Sequence, residues 1–199
     1  MKLILATNNL HKVEEIKNKI NLEGFELLSL KDLQINIEVE EDKDTLEGNA
    51  FKKAFEVFIA TGIPALADDT GLFVDALDGA PGVYSSRYAG ENATYDDNCR
   101  KLLTELNGVP YNKRTARFIT VACLVTDRDK HFFFEGKVDG IIKESKSGDS
   151  GFGYDPLFIP DGFDKTYAEM SSEEKNQCSH RAKAIEKFIN FLMTSNYGI

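Results

Sequence analysis

The sequence predicts a mixed α/β protein, and three observations carry that expectation. Short apolar runs of strand length alternate with segments of helical period, two longer β-rich runs flank a polar turn, and no repeat, low-complexity tract or Pro/Ser-rich linker interrupts the 199 residues. "KLILAT" reads as a short buried strand, and "HKVEEIKNKI" after it sets Val13, Ile16 and Ile20 at helical spacing. "DTLEGNAFKKAFEVFIATG" repeats the helical period through Leu46, Ala50, Ala54 and Phe58, with Asp44 as the expected N-cap and Gly62 as the stop. "PALADD" is the next strand, expected to end on its two aspartates, Asp68 and Asp69. "YDDNCRKLLTEL" is helical, and "ARFITVACLV" and "KHFFFEGKVDGII", joined by "TDRDK", form an expected antiparallel hairpin. "GDSGFGYDPLF" is a glycine-rich loop. The chain closes with "SSEEKNQC" and "SHRAKAIEKFINFLM", whose Ala182, Ile185, Phe188, Ile189 and Leu192 form an apolar stripe.

Composition narrows the function classes. A chain that is 42% hydrophobic and 11% aromatic fits one globular domain over residues 1–199, or two lobes sharing a core. Its longest apolar runs, such as Phe118 to Val125, are too short to span a bilayer, and "MKLILATNNLHK" turns polar too soon for a signal peptide. A cytoplasmic protein with no membrane partner is expected. The net charge of -9 argues against a nucleic-acid partner, since phosphate backbones need a basic stripe. Cys99, Cys123 and Cys178 are odd in number and widely spaced, so reduced thiols are expected.

Four places carry possible chemistry. In "ATNNLHK", Thr7, Asn8 and Asn9 lie between a strand and a helix, with Lys12 one turn on. Free amides at a helix N-terminus, short donors and a lysine suit a phosphate, although Thr7 or Asn9 serves equally as a helix cap. The second place is acidic: Glu38, Glu40, Glu41 and Asp42, then Asp68 and Asp69. Magnesium takes one or two protein carboxylates and completes its shell with water and phosphate oxygens, so these residues point to Mg²⁺ and a triphosphate, against a solvated acidic loop as the alternative. The third, "SGFGYDP", combines glycines with Phe152 and Tyr154, which stack on a base or else plug the core. In the fourth, "EEKNQCSHR", Ser179 is an expected N-cap that sets His180 and Arg181 on the first turn of the last helix, with Lys175 one segment earlier.

Together these places resemble the inosine triphosphate pyrophosphatases, which act on non-standard purine nucleoside triphosphates. The matching stretches are "TNNLHK", "TLEGNAFKKA", "ALADDTGLFVDALDGAPGVYSSRYAG", "GFGYDPLF", "KTYAEMSSEEKN" and "SHRAKA", in the family's order and over nearly the whole chain. Asn8 stands where relatives often have Gly, and Gly48 where many have an acidic residue. The resemblance implies an elongated two-lobed α/β fold with a long mixed central sheet, a nucleotide cleft and a homodimer. It also implies Mg²⁺-dependent cleavage of ITP, dITP and XTP to the monophosphate and pyrophosphate by water attack on the α-phosphorus. Carried over, Asp69 is the general base and a metal ligand, Glu40 the second ligand with Glu41 as its rival, and Asp68 a neighbouring support. Thr7, Asn8, Asn9, Leu10, His11 and Lys12 hold the triphosphate, and Thr70 contacts substrate. Phe152, Gly153, Tyr154 and Asp155 hold the base, and Lys175, His180 and Arg181 complete the pocket. On this reading the adjacent aspartates form one clamp whose mutual repulsion is cancelled by the metal. His180 or Arg181 would donate to the keto oxygen that hypoxanthine and xanthine carry where adenine has an amino group. Two other readings stay open: a haloacid-dehalogenase-type phosphatase, whose motif separates its two aspartates by one residue, and a non-catalytic nucleotide sensor.

Overall fold

A computed structural model of the chain describes residues 2–20 and 24–195. Strand β1 (Lys2–Leu5) leads into helix α1 (Leu10–Lys19), β2 (Glu26–Ser29), helix α2 (Leu46–Thr61) and the long strand β3 (Ala65–Val74). β1 pairs in parallel with β2, Leu3 opposite Leu27, and with β3, Ile4 opposite Ala65. That is the pairing a strand–helix–strand alternation produces, because parallel neighbours need a crossover long enough to hold a helix. β4 (Pro81–Gly82), α3 (Tyr95–Glu105), β5 (Thr115–Asp127), β6 (Lys130–Ile142), β7 (Phe158–Pro160), α4 (Ser172–Cys178) and α5 (His180–Thr194) follow. Among the described residues seven strands form one mixed sheet in the order β2-β1-β3-β5-β6-β7, with β4 on β3. β5 and β6 are neighbours with only Arg128 and Asp129 between them, a link short enough to require the antiparallel hairpin expected from "TDRDK".

Local signals set most element ends. Gly62 ends α2 at φ 67°, its amide donating to the Phe58 carbonyl at 2.7 Å. The N-cap of α2 is Thr45 rather than Asp44: its hydroxyl accepts from the Gly48 amide at 3.0 Å, one residue closer to the first apolar helical position, Leu46. Ser179 is the C-cap of α4, its amide donating to the Lys175 carbonyl at 2.8 Å, and His180 begins α5 directly after it. The largest departure is β3. It does not stop at its aspartates but runs on through Thr70, Gly71, Leu72, Phe73 and Val74, because that second half pairs with β4, Leu72 opposite Gly82. Gly71 permits the pairing, since a Cβ there would lie 2.6 Å from the Gly82 carbonyl oxygen.

The chain forms two compact units, Met1–Asp69 with Thr120–Gly136 and Arg181–Ile199, and Thr70–Ile119 with Lys137–His180. The divisions fall inside β3, β5 and β6 and in the first turn of α5, so no linker composition marks them. In the first unit, residues alternate along each strand and sort into two apolar layers. Ile4, Ala65, Ala67, Cys123 and Val125 meet Ala50, Ala54 and Val57 of α2, whereas Leu3, Leu5, Leu66, Ala122 and Leu124 meet Val13 and Ile16 of α1 and Ile185, Phe188 and Leu192 of α5. The second unit closes around Leu72, Leu102, Leu106, Phe118, Phe158 and Tyr167. Among the described residues no helix is long and apolar enough to cross a membrane.

Candidate active site

The alternation that sorts the first unit's core also sorts its two aspartates. Ala65 and Ala67 face α2, so Asp69 does too, and Leu66 faces α1 and α5, so Asp68 does. Adjacent in sequence, the carboxylates leave opposite faces of β3, and each meets its own cations. The single clamp expected from the doublet is therefore two separate centres. Both are buried, at 1% exposure for Asp68 and 5% for Asp69, which an unpaired carboxylate would not tolerate.

On the α2 face, Asn49 and Lys53 stand one helical turn apart and both reach Asp69. The Asn49 amide nitrogen donates to Oδ2 at 3.2 Å, and the Lys53 ammonium lies 3.4 Å from Oδ1. Lys53 also pairs with Glu41 of the acidic loop. Burial is the largest influence on Asp69 and pushes its proton affinity above the usual carboxylate range; the Lys53 and Lys12 charges oppose it, and Glu41 reinforces it. A buried carboxylate that holds a proton more readily than usual is suited to take one from water. Lys53 keeps its proton against burial because Asp69 and Glu41 hold it.

On the other face, Lys12 approaches Asp68 Oδ2 at 3.2 Å and donates to the Asp68 carbonyl at 3.3 Å. Arg181 donates through Nε to the same Oδ2 at 3.1 Å and through a terminal nitrogen to Glu15 of α1. Burial alone would raise Asp68, but Lys12, Arg181 and Lys53 outweigh it and hold the carboxyl well below the usual range. Burial draws the Lys12 ammonium the other way, toward easier proton loss. The loop ahead of α1 is engaged as well. Asn9 caps the helix, accepting from the His11 and Lys12 amides at 3.0 and 3.3 Å, Thr7 accepts from the Asn9 amide at 3.2 Å, and Asn8 donates to the Ile37 carbonyl at 3.0 Å. Leu10 and His11 are exposed. The capping alternative thus holds for Asn9, and the full positive charge at this place belongs to Lys12.

The second unit gathers the other predicted residues. Asp155 accepts from the Lys175 ammonium at 2.7 Å and the Phe152 amide at 2.8 Å, and the same ammonium lies 4.9 Å from the Phe152 ring centroid. Phe152 is half-buried, but Tyr154 is a core side chain whose hydroxyl donates to the Ser85 carbonyl at 2.9 Å, and burial raises its pKa. Of the two aromatics proposed for a base, Phe152 is the less buried. The Gly153 carbonyl receives the Cys99 thiol at 3.3 Å. His180 is buried with its ring stacked on Phe118 at 4.4 Å. Thr70, next after Asp69, is half-buried.

Arg181 directs donors to Asp68 and Glu15. Glu40 is exposed, and Glu41 reaches Lys53 beside Asp69. Asn49 and Lys53 were missed, although a signal existed: both fall on the apolar stripe of α2, between Leu46 and Val57, where a polar side chain needs a buried partner. Among the described residues no three His, Cys, Asp or Glu side chains gather closely enough to hold a metal by themselves. Magnesium asks for fewer, and Asp69 with Glu41 supplies two hard carboxylates that already share one cation.

Fold and site together define a mixed α/β protein with a buried carboxylate–ammonium centre suited to an anionic, metal-bearing ligand. A sequence model of the Ham1 family matches residues 3–191, and the chain belongs to that family. A dITP/XTP pyrophosphatase of Thermoanaerobacter sp. (strain X514) is 52% identical over 194 residues, covering 97% of each chain. Two solved structures are similar: the Ham1 protein of Staphylococcus aureus, at TM-score 0.86 and 37% identity over 97% of this chain and 98% of that one, and a HAM1 protein from Coxiella burnetii, at TM-score 0.89 and 34% identity over 98% and 100%.

Proposed function

We propose that this chain hydrolyses ITP, dITP and XTP to the nucleoside monophosphate and pyrophosphate, removing deaminated purines from the nucleotide pool. The observation that carries the reading is Asp69, buried between Asn49 and Lys53 with raised proton affinity. Asp69 takes a proton from water as the water oxygen bonds to the α-phosphorus; the bond from that phosphorus to the α–β bridging oxygen breaks, and pyrophosphate leaves. Lys12, with Thr7 to His11, receives the triphosphate charge, and Lys53 limits the negative charge that builds up around Asp69. Mg²⁺, held by Asp69 and Glu41 or Glu40, would supply charge neutralisation for the phosphates and a lowered pKa for the attacking water. Thr70 contacts substrate, and Phe152 to Asp155, Lys175 and His180 hold the base, with the Phe152 face as the stacking surface. A homodimer is part of the same reading, and light scattering on the purified protein tests it.

Incubation with ITP and Mg²⁺ in ¹⁸O-water, followed by phosphorus NMR, tests the reaction. Equal amounts of inosine monophosphate and pyrophosphate, with the label in the monophosphate, are expected. Orthophosphate as the sole phosphorus leaving group would make the protein a phosphatase instead, and binding without turnover would make it a sensor.

A further inference from the structure

We propose that Asn49 is a positioning residue that fixes one oxygen of Asp69 and ties the acidic loop to it, so that Glu41 and Asp69 keep a set separation. The inference rests on Asp69 as the reacting carboxylate. Asn49 is fully buried at 0% exposure, on the stripe of α2 where, apart from Lys53, the other buried side chains are apolar. Nothing about helix formation asks for an asparagine there, since asparagine is a mediocre helix former and a buried amide has to find partners. Its side chain finds them on both sides. The amide nitrogen donates to Asp69 Oδ2 at 3.2 Å and to the Lys43 carbonyl at 3.3 Å, and the amide oxygen accepts from the Lys43 amide at 3.0 Å. The last two bonds copy the pattern by which one peptide group pairs with its neighbour in a sheet. They hold the end of the loop that carries Glu41, two residues upstream.

Gly48 fits the same arrangement. A Cβ at this position would lie 2.8 Å from Lys43 Cβ and 3.0 Å from the Thr45 hydroxyl, so any larger residue pushes the loop away from α2. Glu41 and Asp69 therefore meet Lys53 from two directions, the first placed by the Asn49–Lys43 bonds and the second by the Asn49–Asp69 bond. An asparagine is the right side chain because it is never charged: it donates to Asp69 without neutralising it, leaving Lys53 as the ionic partner on Oδ1.

The test compares Asn49→Asp, Asn49→Leu, Gly48→Ala and Asp69→Asn by steady-state kinetics with ITP, Mg²⁺ titration and thermal unfolding. Asn49→Asp keeps an acceptor for the Lys43 amide but loses the donor to Asp69; Asn49→Leu keeps volume and loses both. Partners that orient a ligating group change activity or metal affinity by roughly 10- to 100-fold when removed, so both Asn49 variants are expected to lose kcat in that range with KM for ITP within about 3-fold. The Mg²⁺ midpoint should rise in Asn49→Leu. Gly48→Ala, which leaves both side chains in place, should show a smaller loss of kcat and the same rise in the Mg²⁺ midpoint. A folded Asn49 variant that keeps kcat within about 2-fold overturns the inference. So does a fall in kcat that only follows lost folded protein. If Asp69→Asn itself retains more than about a tenth of kcat, the assignment of Asp69 fails first, and with it the ground of the inference.

Discussion

Lys53 in the first unit and Lys175 in the second are both buried against an aspartate, but the two pairs sit in different electrostatic surroundings. Lys175 meets Asp155 at 2.7 Å, a backbone amide takes the same carboxylate oxygen, and one positive charge answers one negative charge. The centre around Lys53 sets two carboxylates, Asp69 and Glu41, against one ammonium. The matched pair is balanced within itself. The unmatched centre has a carboxylate whose ionisation is opposed by its surroundings, and a group in that state gains most from an arriving cation or proton.

The largest test of this contrast is Asp69→Asn. Turnover of ITP should fall at least 10²-fold while the thermal midpoint moves by less than about 4 °C, because the surroundings already disfavour the charge that is removed. A large loss of stability would place Asp69 with the scaffold. Asp155→Ala should differ in stability, leaving the Lys175 ammonium buried without this partner at a cost of about 3–5 kcal/mol in urea unfolding. A shift under about 1 kcal/mol would end the distinction between the two pairs.

Acid unfolding separates the two aspartates of β3. Asp68 has a folded pKa below its unfolded value of about 3.9, so its stabilisation is present above that value and is lost as pH falls through and below it. Asp69 has the opposite sign: its folded pKa is raised, so its contribution is present at low pH and lost as pH climbs above about 3.9. Wild-type unfolding free energy, followed by urea titration from pH 6 downward, should fall more steeply than that of Asp68→Asn. Equal slopes would show that Lys12 and Arg181 do not act through Asp68. The smallest expected effect is that of Tyr154→Phe, which removes one buried donor to the Ser85 carbonyl and should cost about 1 kcal/mol with KM for ITP unchanged. A raised KM would show that the Tyr154 hydroxyl itself serves the base.

Much of this could be read locally. The stripe of Leu46, Ala50 and Ala54, the stop at Gly62, the cap at Asn9 and the start of α5 at His180 all follow from residues within a few positions of one another. Lys12 and Phe152 were legible as chemistry because they sit in a helix's first turn and in a glycine-rich turn, and Asp69 because it forms an acidic doublet after an apolar run. The extension of β3 was not, because it depends on β4 and on room beside Gly71. That Glu41, and not Glu40, meets Lys53 was not either: a loop has no period from which to read which carboxylate turns inward.

The sequence by itself determined the α/β alternation, the apolar stripes and the set of charged residues available for a phosphate and a metal, since these rest on propensity and spacing along one chain. Only the tertiary structure decided how that set divides. Side chains alternate across a strand, so the adjacent pair Asp68 and Asp69 parts to opposite faces of β3. Each face then takes its cations from whichever helix covers it: Lys12 and Arg181 from α1 and α5 on one side, Lys53 with Asn49 from α2 on the other. Charge pairing between residues as far apart as Asp68 and Arg181 depends on distance in space, and spacing along the chain does not contain it.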